Sequence, residues 1–319
     1  MDVFFHKLFS QEIEKKIQNN WHFISLVLKA KIFNFQTKSK ALNAISHHYN
    51  IGNNLYKKML DPLMMYSCAY WENATNLTEA QEHKLKLICE KLHLKPGQKV
   101  LDIGCGWGGF AYYAAKNYKV NVVGVTISEE QRQLAIDRCQ GLNVEIRFQD
   151  YRDLDEKFDR IVSIGMLEHV GYKNHDEFMS IVNKNLTDEG ICLLHFIASN
   201  ETDLTTDPWI HKYIFPDGLI PSLAQIGKAM ETKLMIEDLH NIGVHYDYTL
   251  MAWQKNFKES WDILSMQYDN TFYRMWNFYL AISAASFRSR RLNLWQIVLT
   301  KLSFHKEYKS IRFNSCNLG

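Results

Sequence analysis

The chain has 319 residues, of which 46% are hydrophobic and 23% are charged. That composition is typical of a globular protein with a sizeable core and excludes a disordered chain. Its six cysteines lie at irregular spacing without a CxxC pair, which argues against a zinc site or a disulfide framework and favours a reducing cytoplasm.

Positive charge is concentrated at the two ends of the chain. Residues 1–40 carry seven Lys or Arg against three acids, and residues 270–319 carry eight against one. Anionic lipid attracts such segments by about 1 kcal/mol per basic residue. Simple solvation explains the charge equally well, and no nucleic-acid recognition motif is present. No signal peptide and no apolar run of bilayer length is found, so we expect a soluble protein or one on a membrane surface.

Two helices are predicted before the first strand. Ile13, Ile17, Trp21, Ile24 and Leu28 recur at helical spacing with lysines between them, which indicates an amphipathic helix. Such a helix packs on the protein body or lies on a membrane. Residues 76–94 form a second predicted helix, ended by the "KPG" at 95–97.

A strand–helix alternation follows. Apolar runs at 99–103, 120–125, 143–148, 159–164 and 190–197 are separated by segments of helical length, which is typical of buried parallel strands with helices on both faces. Runs near 234–239 and 294–300 could complete the sheet. Residues 201–232 break this rhythm, and long insertions of this kind are often lids.

The segment "KVLDIGCGWGGF" at 99–110 predicts a strand, a glycine-rich turn and a helix start. Gly104 and Gly106 allow a sharp turn and a close approach to a ligand. With Asp102 before them, the Asp-x-Gly-x-Gly pattern resembles the first motif of S-adenosylmethionine methyltransferases. The next predicted strand ends at Thr126, with Gln131 one helical turn further on, where nucleotide-binding folds usually place an acid.

Together these segments resemble the cyclopropane-fatty-acyl-phospholipid synthases and the related mycolic acid cyclopropane synthases. The resemblance covers nearly the whole chain from about residue 30. It rests on ten stretches: "HYNIGN" (48–53), "LDPLMMYSCAYW" (60–71), "LKPGQKVLDIGCGWGG" (94–109), "GVTISEEQ" (124–131), "QDYRD" (149–153), "FDRIVSIGMLEHVG" (158–171), "LLHFI" (193–197), "DPWIHKYIFPDG" (207–218), "HYDYTLMAW" (245–253) and "LWQIV" (294–298).

The resemblance implies a Rossmann-like class I S-adenosylmethionine methyltransferase fold. Its sheet would have seven mostly parallel strands, helices on both faces and a helical lid at about 201–232. Residues 1–40 would be a shortened accessory region, and residues 41–319 the catalytic domain. In relatives the larger accessory domain helps dimerisation and membrane docking, so the short region leaves a homodimer open. The family also implies a cytoplasmic location at the inner face of the membrane.

The family adds a methylene carbon from S-adenosylmethionine across a cis double bond of an unsaturated phospholipid acyl chain. The resemblance implies that one group of residues contacts this co-substrate: Tyr66, Ser67, Asp102, Gly104, Gly106, Thr126 through Gln131, Asp150 and Tyr151. It implies that a second group surrounds a bound bicarbonate: Cys68, Glu168, His195, Ile197 and Tyr246. On this interpretation Cys68 lines a pocket and is not a nucleophile.

The chemistry of the reaction agrees with such a set. Alkene attack on a methyl sulfonium gives a carbocation, and ring closure needs a base and the exclusion of water. His195 and Ile197 are two apart on one strand, so they share a face, and Glu168 follows the neighbouring strand. Glu168 orienting a histidine or bicarbonate, with His195 passing the proton outward, forms a coherent relay. Without the family resemblance, Glu168 would be interpreted as a carboxylate at the start of a helix and His195 as a histidine of the core.

The chain departs from the family at three places. Ser283 stands where the family usually has a cysteine once suspected as the nucleophile, and Asn50 and Asn54 replace common aspartates.

The tandem His47–His48 has no acid or cysteine at ligand spacing, so no metal is predicted. Cation-stabilising aromatic side chains are candidates that cannot be assigned individually: Tyr66, Tyr70, Trp71, Trp209, Tyr213, Phe215 and Tyr246.

Three functions remain in competition. A cyclopropane synthase is favoured, because the base set serves ring closure. A lipid C-methyltransferase that stops at the methyl branch, or a small-molecule N-methyltransferase of the same fold, is the runner-up. A catalytically silent lipid-surface protein is the third, and the intact motifs count against it.

Overall fold

A computed structural model of the chain describes residues 1–10, 52–216 and 218–313. All seven apolar runs that predicted strands form strands there. Their bounds are β1 (Lys99–Ile103), β2 (Asn121–Thr126), β3 (Val144–Phe148), β4 (Phe158–Ile164), β5 (Leu186–Ser199), β6 (Leu234–Asn241) and β7 (Leu292–Lys301).

The strands form one sheet in the order β3-β2-β1-β4-β5-β7-β6. The first five in the chain pair in parallel, and β7 lies antiparallel between β5 and β6. The prediction of a seven-stranded, mostly parallel sheet is confirmed. Strands β1, β2 and β4 therefore end at the same edge, where ligands of such folds collect.

Helices cover both faces of the sheet and its carboxyl edge. The predicted helix over 76–94 is confirmed as Leu77–Lys91, and the Asn76 side chain caps it by accepting from the Glu79 amide at 3.0 Å. The helices of the described residues are α1 (Asp2–Ser10), α2 (Asn53–Met59), α3 (Leu77–Lys91), α4 (Gly109–Tyr118), α5 (Glu129–Arg138), α6 (Leu167–Val170), α7 (His175–Asn185), α8 (Pro208–Tyr213), α9 (Leu223–Met230), α10 (Val244–Glu259), α11 (Trp261–Leu264) and α12 (Asn270–Arg288).

The alternation of side chains along the strands divides the core in two. On β1, Leu101 and Ile103 pack with residues of α7 and α9, whereas Val100 packs with residues of α3 and α4 on the opposite face. Helices therefore shield both faces, as the strand–helix alternation predicted.

A third apolar cluster covers the carboxyl edge and is built largely by α2, α10 and α12. The amino-terminal helix α1 packs on α12, where Phe5 meets Phe278 edge to face at 5.3 Å. Arg288 of α12 pairs with Asp2 and Asp247, each at 2.8 Å. The amphipathic helix predicted around Ile13–Leu28, the His47–His48 pair and Asn50 lie outside the described residues.

The inserted segment after β5 carries two helices. Asp207 caps α8, accepting from the Trp209 and Ile210 amides at 2.9 and 3.0 Å, and Ser222 forms a capping box with Gln225 at the start of α9. The helical insertion predicted over 201–232 is confirmed. None of the helices that the structure describes is long and apolar enough to span a bilayer.

Candidate active site

The glycine-rich turn joins β1 to α4 at the carboxyl edge of the sheet. Gly104 and Gly106 have φ angles of 78° and 53°, a region that L-residues with side chains rarely occupy. The amides of Gly104 and Cys105 both donate to the Val125 carbonyl, at 3.0 and 3.1 Å, which ties the turn to β2. A cavity beside this turn, here called the turn cavity, is lined by Asp102, Gly104 and Gly106.

Asp102 places a buried carboxyl in the wall of the turn cavity. Only 2% of the residue is exposed, and within the described part of the chain its Oδ2 atom has no hydrogen-bond partner. Burial raises the pKa of Asp102 to about 7, against a lowering by the nearby Lys84 ammonium. A cationic group in the cavity would restore the charged form of this carboxylate.

The second strand supplies the next part of this wall. Thr126 and Gln131 both line the turn cavity, and their side chains are joined by a 3.2 Å hydrogen bond. Ser128 caps α5 through the Gln131 amide, which fixes this loop. Tyr151 also lines the cavity, but the Asp150 carboxylate does not: it accepts from the Arg152 amide and guanidinium, each at 2.9 Å.

Tyr66 and Ser67 reach the turn cavity on a segment that is held by a carboxylate. The Asp61 carboxylate accepts hydrogen bonds from the main-chain amides of Leu63 and Met65 at 2.9 and 2.8 Å. Gly109 lets this segment lie against α4, because a Cβ atom there would stand 2.4 Å from the Met65 Sδ. The Tyr66 hydroxyl is hydrogen-bonded to the Tyr279 hydroxyl at 2.9 Å.

Lys84 of α3 lies buried beneath this segment. Its ammonium donates to Ser67 Oγ at 2.9 Å, and the side chain has no exposed surface. Burial lowers the pKa of Lys84 to about 8, against the raising effects of Asp61, Cys68 and Asp102. Because Ser67 accepts from Lys84, its own hydroxyl hydrogen is left to donate elsewhere.

A second cavity, here called the large cavity, has a volume of about 650 Å³. The end of this cavity that carries Glu168, His195 and Tyr246 is called its polar end, and it lies near the carboxyl ends of β4 and β5. Its walls come from β5, the 201–232 insertion, α10 and α12. Four of the predicted bicarbonate ligands line it: Glu168, His195, Ile197 and Tyr246.

Glu168 lies in the short helix α6 that follows β4. Its Oε1 atom accepts from the Ile197 amide at 2.7 Å, whereas Oε2 is buried with no partner among the residues described. Burial raises the pKa of Glu168 to about 7, with hydrogen bonds from the amides of Ile197 and Glu168 itself opposing that rise. The carboxyl can thus carry a proton near neutral pH and donate it as a hydrogen bond.

His195 is 1% exposed at the same end of the cavity. Its Nδ1 atom lies 3.2 Å from Gln296 Nε2, and its Nε2 atom finds no hydrogen-bond partner in the described ranges. Burial holds the pKa of His195 well below its usual value, and the Lys84 and Lys91 ammonium groups lower it further. The ring is therefore neutral at physiological pH.

Cys68 is the predicted bicarbonate ligand that the structure does not bring into either cavity wall. The residue has no exposed surface, and its thiol donates to the Ala69 carbonyl at 3.3 Å. Burial raises the pKa of the Cys68 thiol, which suppresses the nucleophilic thiolate. Any contribution of Cys68 to the site must come from its main chain. The Cys68 side chain lines neither the turn cavity nor the large cavity, contrary to the prediction that it lines a pocket.

The two cavities meet at a common boundary. Tyr66, Ser67, Gly165 and His169 line both of them, so a group bound in the turn cavity can reach one bound in the large cavity. His169 was missed from sequence. Burial lowers its pKa to about 4, so it is neutral at physiological pH.

Aromatic residues form much of the large cavity. Of the predicted candidates, Tyr66, Phe215 and Tyr246 line it, together with the unpredicted Tyr279 and Phe287. The Tyr246 and Phe287 rings pack at an interplanar angle of 33°, with their centroids 4.4 Å apart. The remaining candidates, Tyr70, Trp71, Trp209 and Tyr213, are outside its wall. Ser283 of α12 does line the cavity.

Three polar residues that support the site were not predicted: the buried Lys84 and Gln296 and the half-buried His169. Two of them had some signal. His169 lies within the segment 158–171 quoted for the resemblance, and Gln296 interrupts the apolar run "LWQIV". A polar residue inside a buried strand needs a hydrogen-bond partner, so Gln296 could have been paired with a polar residue on a neighbouring strand.

Comparisons with known proteins agree with one another. The family model for mycolic acid cyclopropane synthetase matches residues 36–297. The cyclopropane-fatty-acyl-phospholipid synthase of Escherichia coli (strain K12) is 51% identical over 301 residues, which cover 94% of this chain and 79% of that protein. A probable fatty acid methyltransferase of Mycobacterium tuberculosis is 37% identical over 83% of this chain and 64% of its own length.

A solved structure is also similar. It is the mycolic acid cyclopropane synthase CmaA1 complexed with SAH and CTAB, which superposes with a TM-score of 0.77 at 29% identity, covering 82% of this chain and 98% of that one. The Rossmann-like methyltransferase fold implied by the family resemblance is thereby confirmed.

Proposed function

The chain belongs to the mycolic acid cyclopropane synthetase family, and from that premise we propose that it adds a methylene carbon across the cis double bond of an unsaturated phospholipid acyl chain. It is an S-adenosylmethionine-dependent enzyme similar in sequence to a cyclopropane-fatty-acyl-phospholipid synthase. The phospholipid substrate and the base that completes the ring are the parts that we add.

One observation carries the proposal: the turn cavity and the large cavity share a boundary, and unpartnered polar atoms of Glu168 and His195 lie just beyond it. Among the described residues, Glu168 Oε2 and His195 Nε2 have no hydrogen-bond partner. A methyl donor in the first cavity and an alkyl chain in the second would meet beside a polar pocket. An enzyme that only methylates an amine has no need of such a pocket.

The residues of the turn cavity fit S-adenosylmethionine. The Asp102 carboxylate suits the ammonium and sulfonium charges, and the backbone of Gly104 and Gly106 leaves room for close approach. S-adenosylmethionine would supply an electrophilic methyl carbon there. Ser67, held from below by Lys84, would donate a hydrogen bond towards the methionine part.

The reaction needs one proton to be removed. The alkene π electrons form a bond to the methyl carbon as the carbon–sulfur pair returns to sulfur, which leaves a carbocation on the acyl chain. Loss of a proton from the new methyl group supplies the electron pair that closes the ring. Bound bicarbonate would supply the base for that step. Neither Glu168, whose carboxyl carries a proton near neutrality, nor neutral His195 carries a full negative charge near pH 7.

The polar end of the large cavity fits a small anion. The Glu168 carboxyl has a buried Oε2 atom and His195 has a buried Nε2 atom, neither of which has a partner among the described residues. In their neutral protonated forms both can donate hydrogen bonds. Tyr246 lines the same cavity with a phenol. Such donors would hold bicarbonate beside the reacting carbons.

The walls of the large cavity suit a carbocation that must not meet water. Tyr66, Phe215 and Tyr246 are among its aromatic residues, and a cation over an aromatic face gains about 0.5–2 kcal/mol. The apolar side chains Ile197, Leu250 and Leu294 in its wall offer water no hydrogen-bond partner. We assign the 201–232 insertion as a lid over this cavity and residues 41–319 as the catalytic domain.

The lipid would enter from a membrane surface. Arg290 and Arg291 are exposed and line the large cavity, together with the exposed acids Glu201, Asp203 and Asp207. Anionic head groups would attract the two arginines by about 1 kcal/mol each, and the acids oppose that attraction. Peripheral attachment to the membrane from which the acyl chain is drawn therefore rests on the proposed substrate and not on the charge of this rim.

A second candidate is a lipid C-methyltransferase, because one relative is named a probable fatty acid methyltransferase. The deciding experiment incubates the full chain with dioleoyl phospholipid vesicles and S-adenosylmethionine whose methyl group is fully deuterated. Cyclopropanation keeps two of the three deuterium atoms, because the third leaves as the ring closes. A methyl branch keeps all three when a carbon of the acyl chain loses the proton instead, and that product retains one double bond.

Mass spectrometry of the released acyl chains, with chromatographic standards for the ring, distinguishes the two products. A ring with two deuterium atoms supports the proposal. A branched product overturns ring closure, and turnover only with soluble amines overturns the lipid substrate. Binding of S-adenosylmethionine without any turnover would indicate the silent lipid-surface protein.

A further inference from the structure

Gln296 faces His195 because of the register of the sheet. The two residues are directly opposite in the antiparallel β5–β7 pair, so both side chains project from the same face. Gln296 has no exposed surface, and its Nε2 atom lies 3.2 Å from His195 Nδ1. The contact is therefore fixed by two strands of the central sheet and not by a loop.

The direction of this hydrogen bond follows from the remaining polar atoms. With the amide group donating to Nδ1, the atom left over is the Gln296 carbonyl oxygen, which has no partner in the described part of the chain. The reversed amide would bury an NH₂ group with two donors at that place. An unsatisfied carbonyl is the less costly of the two. Gln296 thus donates, and Nδ1 accepts.

An imidazole that accepts at Nδ1 carries its single hydrogen at Nε2 when it is neutral. The buried Lys84 and Lys91 ammonium groups oppose a positive charge on the ring. Nε2 is the nitrogen that has no partner among the described residues, at the polar end of the large cavity. The ring consequently offers a donor to the cavity and no acceptor.

We propose that Gln296 is a positioning residue that holds His195 as the Nε2–H tautomer, so that His195 donates a hydrogen bond to the anion that serves as base. The inference rests on the proposed function and deepens it. It replaces the role expected from the sequence, in which His195 passes the proton outward, because a ring already protonated at Nε2 does not accept a proton there. The anion, held by His195, takes the proton instead.

The first test observes the His195 ring in the unmodified chain. Nitrogen-15 NMR of the histidine-labelled full chain separates protonated from unprotonated ring nitrogens, and His195→Asn identifies the His195 signals by their loss. We expect Nε2 to be protonated and Nδ1 unprotonated at pH 7. A His195 protonated at Nδ1 alone, or at both nitrogens, would overturn the inference.

The second test uses Gln296→Met, which keeps the volume and removes the donor. Thr300→Val is the matched control, because Thr300 lies on the same face of β7, is fully buried and loses one hydrogen bond, to Glu237 at 2.7 Å. Assays in bicarbonate-depleted buffer then measure the bicarbonate concentration that half-saturates the rate. For Gln296→Met we expect this concentration to rise about tenfold while the KM for S-adenosylmethionine stays within about twofold.

The outcomes distinguish a failure of the proposed bicarbonate base from a failure of the positioning role of Gln296. If the unmodified chain shows no stimulation by bicarbonate, the proposed base is wrong whatever Gln296 does. If bicarbonate stimulates the unmodified chain but Gln296→Met behaves like Thr300→Val, the positioning role is wrong and the base survives. A mixture of His195 tautomers in Gln296→Met, with weakened bicarbonate dependence, supports the inference.

Discussion

The two cavities of the site are built in different ways. The turn cavity comes largely from two contiguous stretches, 99–110 and 124–131, where amides and carbonyls of neighbouring strands bond to each other. The polar end of the large cavity combines Glu168, His195 and Tyr246 from three elements, with Gln296 of a fourth behind them. One half depends on local backbone geometry and the other on strand register.

Their electrostatics differ as well. The buried Asp102 carboxyl has the Lys84 ammonium nearby to favour its charged form. For Glu168 only backbone amides, those of Ile197 and Glu168, oppose the burial that raises its pKa. The turn cavity is thus suited to a cationic ligand, whereas the large cavity presents neutral donors that suit an anion. The variants below should damage one half and spare the other.

The largest effect is expected from Glu168→Met. A thioether at this position cannot donate a hydrogen bond to the anion, and removing one such donor from an active site typically costs about 10²–10³ in rate. Ring formation, measured by gas chromatography of acyl esters, should fall by about this factor. The dissociation constant of S-adenosylmethionine, measured by calorimetry, should change by less than about threefold.

Glu130→Gln is the control for this variant, because Glu130 is exposed on α5. It should leave both quantities unchanged. Equal losses of rate and of S-adenosylmethionine binding in Glu168→Met would contradict the separate role of the large cavity.

The next largest effect is expected from Lys84→Met, which removes a buried charge beside the turn cavity. Removing a buried charge leaves the Asp61 and Asp102 carboxyls without its compensation, and breaking such buried interactions costs about 3–5 kcal/mol. Urea denaturation should show a loss of this size. Binding of S-adenosylmethionine should weaken too, because Asp102 becomes harder to ionise.

Lys86→Met supplies the comparison on the same helix. Lys86 is exposed and pairs with Glu90 at 3.8 Å, a contact that contributes less than about 1 kcal/mol. If Lys84→Met lowers the free energy of unfolding no more than Lys86→Met does, the buried ammonium is not compensating the carboxyls.

The same contrast explains what the sequence could and could not predict. All seven strands were found because buried strands are continuous apolar runs. Gly104, Gly106, Thr126 and Gln131 were placed in the turn cavity because a turn and its two strands are local features. The position of β7, antiparallel between β5 and β6, does not follow from any run of residues, and it is this position that brings Gln296 against His195.

The residues that were missed or misplaced share a physical cause. Lys84 shares its helix with the exposed Lys86 and the buried Lys91, so the presence of a lysine there does not tell whether it is buried. Its burial near the Asp61 and Asp102 carboxyls is visible only in the structure. Cys68 and Ser67 are neighbours, yet only Ser67 faces the cavities, because the direction of a side chain in an irregular segment depends on its main-chain contacts. Composition and spacing carry no information about either.

A smaller effect, on acid stability, is expected from His175→Gln. His175 begins α7, shortly after the helix that bears Glu168, and is 2% exposed. Burial lowers its pKa to about 4, against about 6.5 when unfolded. The unfolded state therefore binds the proton first, and stability present above pH 6.5 is lost as the pH falls towards 4.

The unmodified chain should lose up to about 3 kcal/mol through this residue over that pH range, and His175→Gln should not. The measurement is urea denaturation at a series of pH values, with the exposed His305→Gln as control. Parallel stability curves for the chain and His175→Gln would show that His175 does not carry this sensitivity.

The smallest effect is expected from Gly104→Ala. This variant tests whether the turn cavity needs Gly104 for its backbone conformation or for the space that it leaves. Both Gly104 and Gly141 have positive φ angles, 78° and 77°, so an alanine at either should cost about 1–2 kcal/mol of stability. At Gly104 the added methyl would also lie 3.2 Å from Met166 Sδ, whereas at Gly141 nothing lies within 4 Å. Calorimetry should therefore show weaker S-adenosylmethionine binding, by about tenfold, only for Gly104→Ala. Similar binding by the two variants would mean that the ligand does not approach the chain at this turn, because backbone strain alone would then account for everything that the glycine does.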